Sequence, residues 1–536
     1  MTARFLWAVA LAAALAACDA GFDGSPTGNV APDTELSVRS ADLTEDLGER
    51  RLVSTVELAW SGTDPDGVVA AYDVRAYQSG DVPAPEAGWA RTARRDSTIL
   101  LPIPLGEDEA DVVVEVRAVD NDGAIDETPA RTVFPIRNSD PALALSRTEV
   151  PPDTTWPVLS FAFAASDPDG DVNLAGVELA LNDTNATVVR LPADATFATL
   201  VADDPGAALT DARVFIGRGF SASELRLPGL ALDAENTVYV RAVDQAGATS
   251  EWSAYPDRED PEASLFVRRV TSSVLLVNDF RRGSAGDTGA VGRATVAVSE
   301  AALALHGTPS YDAWDLSQTV QSAASPQFSD ALPATADPTL RQTLALWSRI
   351  VWVTNASTNS ATANNLPRAA TVLDLFFERG GRMLVHSPVS QPLGTQGGTA
   401  NAAIDVLPLR ELVTFPDGVT TLRAPIGTPV EPEPSVPGTS QTLPALRAAR
   451  FITTTLPYVV GPDDVPLYRM QFNLNNSTTP WEGSDVVASI RSDRRVALFA
   501  LPLFAGDNPI YEADNAAGDG VDVALSVLLD ALEFPQ

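Results

Sequence analysis

The chain has 536 residues, of which 71 are acidic and 36 basic, so its formal net charge is −35 while 45% of its residues are apolar. A globular protein with so negative a surface repels phosphate, which disfavours nucleic acid and anionic membrane faces as partners. The sequence contains no lysine, so all its positive charge is arginine, and Schiff-base or lysine-dependent phosphate chemistry is excluded. The acidic excess has two readings, adaptation to high salt and a genome rich in arginine codons.

Arg4 is a short positive start, and Phe5 to Ala17 is an apolar run ending in Leu15-Ala16-Ala17-Cys18. The run is too short for a stable membrane span and has the proportions of a signal peptide over residues 1–17. Leu-Ala-Ala-Cys resembles the lipobox of bacterial lipoproteins. The resemblance implies cleavage before Cys18, diacylglycerol on Cys18, and an extracytoplasmic chain held to a membrane by that lipid. An ordinary signal peptide that happens to contain a cysteine is the competing reading. Cys18 is the only cysteine, so the mature chain has none left for an internal disulfide. Residues 18–33, rich in Gly, Asp, Ser and Pro, read as a flexible tether. Asp19 resembles the inner-membrane retention signal of enteric bacteria, whereas sandwich stalks are common on cell surfaces, so both membranes stay open.

Length predicts about three domains. Over 34–137 short alternating segments, among them Val56-Glu57-Leu58-Ala59-Trp60 and Val112 to Val119, predict half-buried antiparallel strands. The pattern recurs over 138–268: Asp64-Pro65-Asp66-Gly67 is echoed by Asp167-Pro168-Asp169-Gly170, and Val116-Arg117-Ala118-Val119-Asp120 by Val240-Arg241-Ala242-Val243-Asp244. Asp64 and Arg117 are 53 residues apart and Asp167 and Arg241 are 74 apart, so the second copy carries about 21 extra residues, placed around Asp203 to Phe220. These features resemble the fibronectin type III and immunoglobulin-like modules of bacterial surface proteins, which implies two antiparallel β-sandwiches and little about a ligand.

The aspartate loops have two readings. Asp66-Gly67 and Asp122-Gly123 suit tight turns, since aspartate tolerates left-handed backbone and glycine adopts it freely. Alternatively Asp167, Asp169 and Asp171 alternate as oxygen ligands for calcium would, with Asp244 on a neighbouring loop, although no loop completes an EF-hand pattern.

From 269 to 536 the pattern becomes strand and helix in alternation: Ser273 to Asp279, a helix from Ala294 to His306, Tyr311 to Asp315, a helix from Leu340 to Trp347, Arg349 to Thr354, a helix from Ala369 to Arg379, and Gly381 to His386. Another strand at Arg494 to Leu501 and a closing helix at Val521 to Leu532 complete an α/β doubly wound domain, interrupted by an irregular or β-rich insertion over about 388–485. The apolar first strand ending in Asn278-Asp279, the Tyr-Asp-Ala-Trp-Asp strand and Glu378-Arg379-Gly380-Gly381-Arg382 resemble class I glutamine amidotransferase-like, flavodoxin-like domains. Catalytic members carry a cysteine nucleophile on a sharp elbow and a later histidine. This chain has neither beyond Cys18 and His386, so the resemblance implies the fold without the activity. The loop Arg281 to Asp287 lacks both Gly-x-Gly-x-x-Gly and a Walker lysine and reads as a plain loop.

The carboxyl edge of the sheet, with Asn278, Asp279, Thr354, Asn355, His386 and Ser387, is the expected ligand pocket. A hydrolase would use Ser387 as nucleophile with His306 or His386 as base. His386 is adjacent in sequence, however, and strand neighbours point to opposite faces, while Val-His-Ser-Pro-Val lacks the glycines of a nucleophile elbow. Trp252, Trp481 and Tyr511 are either core residues or platforms for sugar rings. Two functions stand: an envelope lipoprotein, adhesive or scaffolding, whose sandwiches form a stalk and whose α/β domain binds a glycan or an envelope protein, and a hydrolase working at the α/β edge.

Overall fold

The computed structural model describes residues 28–43, 52–101, 103–257, 259–260, 262–280, 289–317, 331–355, 365–389, 405–475, 477–505, 508–513 and 520–536. The signal segment, Cys18 and most of the tether lie outside the described residues. The described residues form two compact units: one takes those up to Ala142 with Ser166–Ala175 and Ala242–Ser250, the other those within Leu143–Ala165, Gly176–Arg241 and Glu251–Gln536.

The first unit contains β1 (Asp33–Leu43), β2 (Leu52–Thr63), β3 (Val69–Gln78), β4 (Ala90–Thr92), β5 (Asp96–Leu100), β6 (Glu109–Asp120) and β7 (Ala130–Arg137). Period-two alternation turns Val56, Leu58 and Trp60 of β2 inward, where they meet Tyr72 of β3 and Val112, Val114 and Val116 of β6. Strands β1-β2-β5 form one antiparallel layer and β4-β3-β6-β7 the other, joined at one edge by a parallel contact of Leu52 with Ile136. Three strands against four make a fibronectin type III-like sandwich. Trp60 and Tyr72 meet edge to face with ring centroids 6.3 Å apart. Their polar ends are satisfied, Trp60 Nε1 by the Arg94 carbonyl at 2.8 Å and Tyr72 Oη by the Gly62 N–H at 3.0 Å. On the outer face Trp89 lies between the guanidinium groups of Arg75 and Arg117, 4.1 and 4.2 Å from its ring centre. Arg117 also reaches the buried Asp73, whose carboxyl is held below its usual range by the hydrogen-bonded Arg91.

The second sandwich comprises β8 (Ala142–Leu145), β9 (Thr154–Thr155), β10 (Val158–Ser166), β11 (Leu174–Leu181), β12 (Val188–Leu191), β13 (Phe197–Ala202), β14 (Leu209–Ile216), β15 (Ser221–Ala231), β16 (Ala234–Glu235), β17 (Val238–Asp244), β18 (Ser253–Tyr255) and β19 (Phe266–Val267). Its layers are β8-β10-β13-β14-β15 and β12-β11-β17-β18, with β9, β16 and β19 in a small separate sheet. The order of the first sandwich therefore repeats, and the surplus residues form the hairpin β14–β15. The insertion expected around Asp203 to Phe220 extends to Ala231 and widens a sheet instead of lengthening a loop.

The α/β region begins with β20 (Val274–Asp279), α1 (Ala290–His306), β21 (Asp312–Asp315), α2 (Arg341–Leu344), β22 (Arg349–Thr354), α3 (Leu366–Ala370), α4 (Asp374–Glu378) and β23 (Arg382–His386). It continues through β24 (Pro429–Pro432), β25 (Leu446–Ala448), β26 (Val465–Met470), β27 (Val486–Ile490), β28 (Val496–Phe499), β29 (Tyr511–Ala513) and α5 (Val521–Ala531). All ten strands share one sheet in the order β21-β20-β22-β23-β28-β27-β26-β24-β25-β29. The first five are parallel, in the flavodoxin-like order 2-1-3-4-5, and the rest are antiparallel.

Alternation fills both faces of this sheet. Val274, Leu276, Val351, Val353 and Leu384 join α1 and α5 in one core, and Leu275, Val277, Ile350, Trp352, Met383 and Val385 join α2, α3 and α4 in the other. The helix expected over Ala369 to Arg379 is two short helices. Pro367 starts the first early, and β-branched Thr371 and Val372 interrupt it, with Thr371 Oγ1 bonding back to the Arg368 carbonyl at 2.7 Å. The helix expected over Leu340 to Trp347 begins earlier, in a π turn over Ala336–Leu340 that runs into α2, and it ends at Leu344 because Trp347 turns into the core against Trp156. The interval 388–485 is β-rich: β24, β25 and β26 extend the main sheet, and their Val430, Leu446, Leu467 and Met470 are buried in its core.

Candidate functional site

Strand order in the parallel half runs outward in opposite directions from β20 and β22, so the carboxyl ends of these two strands mark the topological switch point. Their register sets Asn278 beside Val353 and Asp279 beside Thr354. Asp279 is fully buried and accepts hydrogen bonds from Trp352 Nε1 at 3.2 Å and from the backbone N–H and side-chain amide of Asn365, both at 2.6 Å. Thr354, also fully buried, donates to the carbonyls of Asp279 at 3.1 Å and Asn355 at 3.3 Å. Asn278 is half-buried on the opposite face and donates to the exposed Asp315 at 3.1 Å.

Of the six expected residues, Asp279 and Thr354 are thus brought together, Asn355 enters through the backbone carbonyl it offers Thr354, and Asn278 lies on the other face of the same edge. His386 lies beside Val353, in the same row as Asn278. It is 1% exposed, donates from Nε2 to the Leu501 carbonyl at 2.9 Å, and is pushed down by burial to a pKa of about 4. Its Nδ1 has no partner among the described residues. Alternation turns Ser387 to the other face, where its Oγ donates to the Pro388 carbonyl at 3.4 Å. His306 is spent at the end of α1 on the Phe534 carbonyl at 3.2 Å.

Two residues escaped the sequence reading. Asn365 precedes Leu366-Pro367, and a polar residue just before a proline-led helix is a start signal that could have marked it. Asp315 ends β21 and is selected by the same carboxyl-edge rule that selected Asn278.

The aspartate loops of both sandwiches form closed turns. Asp167 accepts from the Asp169 N–H at 2.8 Å and from Asn173 at 3.3 Å, Asp169 from the Ser139 N–H at 2.8 Å, and Asp171 from the Asp167 N–H at 3.3 Å. Asp244 accepts from the N–H groups of Gly247 at 2.6 Å and Ala248 at 2.8 Å. Among the described residues, no group of three or more acidic, histidine or cysteine side chains is placed to hold a metal ion. Burial, with Asp169 and Asp244 nearby, pushes Asp167 up to a pKa of about 6. Of the aromatic candidates, Tyr511 is buried. Trp252 lines a groove of about 990 Å³ with Asp153, Tyr255 and Glu262, one ring face covered by Arg241 at 4.4 Å. Trp481 is half-buried and donates from Nε1 to the Ser484 carbonyl at 2.8 Å.

No family model matches the chain, and no curated protein matches it. Among solved structures, it is similar to the fibronectin(III)-like modules of Clostridium thermocellum CbhA, at 14% identity over 44% of this chain and 94% of that one, with a TM-score of 0.16. It is also similar to the FN1-FN3 domains of chicken CNTN1, at 11% identity over 42% of this chain and 97% of that one, with a TM-score of 0.14.

Proposed function

We propose that the protein is a lipid-anchored, extracytoplasmic binding protein of the cell envelope. Its two fibronectin type III-like sandwiches serve as a stalk, and its α/β domain takes a glycan or an envelope protein in an adhesive or scaffolding role. The lipobox at Cys18 supports the anchor. The observation that carries the binding role is the polar edge at the switch point of the parallel sheet. There Asn278, Asp315 and Asn355 are partly or fully exposed, and buried Asp279, Thr354 and Asn365 brace the strand ends behind them. Amides and a carboxylate on strand ends suit the hydroxyls of a sugar, because the amides both donate and accept and the carboxylate accepts. The alternative, a hydrolase using Ser387, needs a base, and His386 is turned to the other face and bonded to Leu501.

The test is a glycan array and an envelope-protein capture with the exported chain, beside a variant carrying Asn278→Ala and Asp315→Ala. The proposal expects a defined set of ligands that the variant loses at least tenfold. Binding unchanged in the variant, or a wild-type chain that retains no glycan and no envelope protein, contradicts it. Protease shaving of intact cells then assigns the face: peptides released from both units place the protein outward, and protection until the envelope is opened places it in the periplasm.

A further inference from the structure

Each sandwich holds the segment that leads into it, and does so with the same residues. In the first, Asn29 donates its side-chain amide to Asp120 Oδ2 at 2.7 Å, and the Val30 N–H points to Asp66 Oδ2 at 3.1 Å. In the second, Asn138 donates its side-chain amide to Asp244 Oδ2, and the Ser139 N–H donates to Asp169 Oδ2 at 2.8 Å. Asn29 and Asn138 each stand three residues before a proline, Pro32 and Pro141. Asp66 and Asp169 are each the second aspartate of Asp-Pro-Asp-Gly, and Asp120 and Asp244 each end the Val-Arg-Ala-Val-Asp strand.

The late-strand aspartates work on two sides. Asp120 Oδ1 closes its own turn with the N–H groups of Asp122 at 2.9 Å and Ala124 at 2.8 Å, as Asp244 Oδ1 does with Gly247 and Ala248. That leaves Oδ2 for the incoming asparagine. The second aspartate of each Asp-Pro-Asp-Gly is likewise fixed from behind, its N–H bonded to the first aspartate at 3.2 Å for Asp66 and 2.8 Å for Asp169. Two carboxylates aimed outward from rigid turns make a socket for one side-chain amide and the next backbone N–H. Charge-assisted bonds of this kind are stronger than neutral ones.

We propose that Asn-x-x-Pro and the two loop aspartates form a repeated junction clamp, which converts the segment before each sandwich from a free linker into a held one. A turn function alone accounts for one oxygen of Asp120 and of Asp244. It does not account for the asparagine standing at the same offset before both sandwiches, or for the next residue's N–H meeting the same aspartate in both. The clamp does not depend on the anchor or on the ligand edge.

Hydrogen exchange on the exported full chain, read by mass spectrometry, tests it. The proposal expects slow exchange over 28–32 and 138–141. Asn138→Ala should speed exchange over 138–141 at least tenfold while 244–250 stays protected, because the Asp244 turn bonds remain. Asn29→Ala should do the same for 28–32 and leave 138–141 alone. Asparagine is the variant of choice because its loss spares the turns that the aspartates close. Unprotected exchange at both segments in the wild-type chain, or asparagine variants indistinguishable from it, overturns the clamp.

Discussion

Asn365 gives Asp279 both its backbone N–H and its side-chain amide, at 2.6 Å each, so one residue supplies two of the donors that make a fully buried carboxylate tolerable. Replacing it with alanine removes the side-chain amide donor from this fully buried carboxyl group. Asn365→Ala should therefore destabilise the α/β region by about 2–4 kcal/mol. Urea unfolding measures this, and a change within 0.5 kcal/mol of zero, roughly the scatter of a neutral surface substitution, would show that the pair carries little of the edge.

Asp167 and His386 should give opposite pH dependences. Asp167 has a folded pKa of about 6, above its ordinary value of 3.8, so the folded state binds its proton more tightly. Stability from this group is full below pH 3.8 and is lost as pH rises through 6, in total roughly 2 kcal/mol after allowing for solvent screening. Asp167→Asn should flatten that fall.

His386 behaves in reverse, since burial lowers it from 6.5 to about 4. Its stabilising effect is present above pH 6.5 and is lost as pH falls through 4, by about 3 kcal/mol. The chain has two histidines, so imidazole resonances are readily assigned in an NMR titration. One ring should stay neutral to near pH 4, and a His386 that titrates near 6.5 would mean the site is open to water.

Trp156 lies in the second sandwich by sequence but is 1% exposed in the core of the α/β sheet, edge-on to Trp347 at 4.7 Å and Trp314 at 6.2 Å. Trp156→Ala should cost about 3–5 kcal/mol and lower the melting temperature of the α/β region. A transition left in place would show that the α/β core closes without it.

The strand and helix alternation was legible because Val274 to Val277 and Ile350 to Val353 are apolar on both faces, as a parallel strand covered twice must be. Repetition of Asp-Pro-Asp-Gly and Val-Arg-Ala-Val-Asp likewise gave the paired sandwiches. What stayed hidden depends on contacts distant in sequence. Nothing near Trp156 in the sequence marks it as a residue of the α/β core, because Trp314 and Trp347, which it meets there, lie more than 150 residues further along the chain. The β-rich interval carries proline at 429 and 432 and gives no hint that it continues a sheet begun at β20. At the edge, the polar residues could be named, but nothing local told the buried Asp279 from the half-exposed Asn278. That distinction comes from Asn365, 86 residues away.

The net charge of −35 makes salt a direct probe of the surface. If the acidic excess is an adaptation to high salt, the melting temperature rises as sodium chloride is taken into the molar range, where screening relieves repulsion among carboxylates. A flat or falling curve removes that reading and leaves codon usage.

The proposed anchor at Cys18 would hold the folded chain outside the cytoplasm, and mass spectrometry of the amino-terminal peptide from cell membranes probes it at the cysteine itself. A lipid anchor requires a chain that begins at Cys18 with diacylglycerol on its sulfur, and a Cys18→Ser variant that no longer partitions with the membrane. A mature chain that begins elsewhere, or one that carries Cys18 as a free thiol, would contradict it.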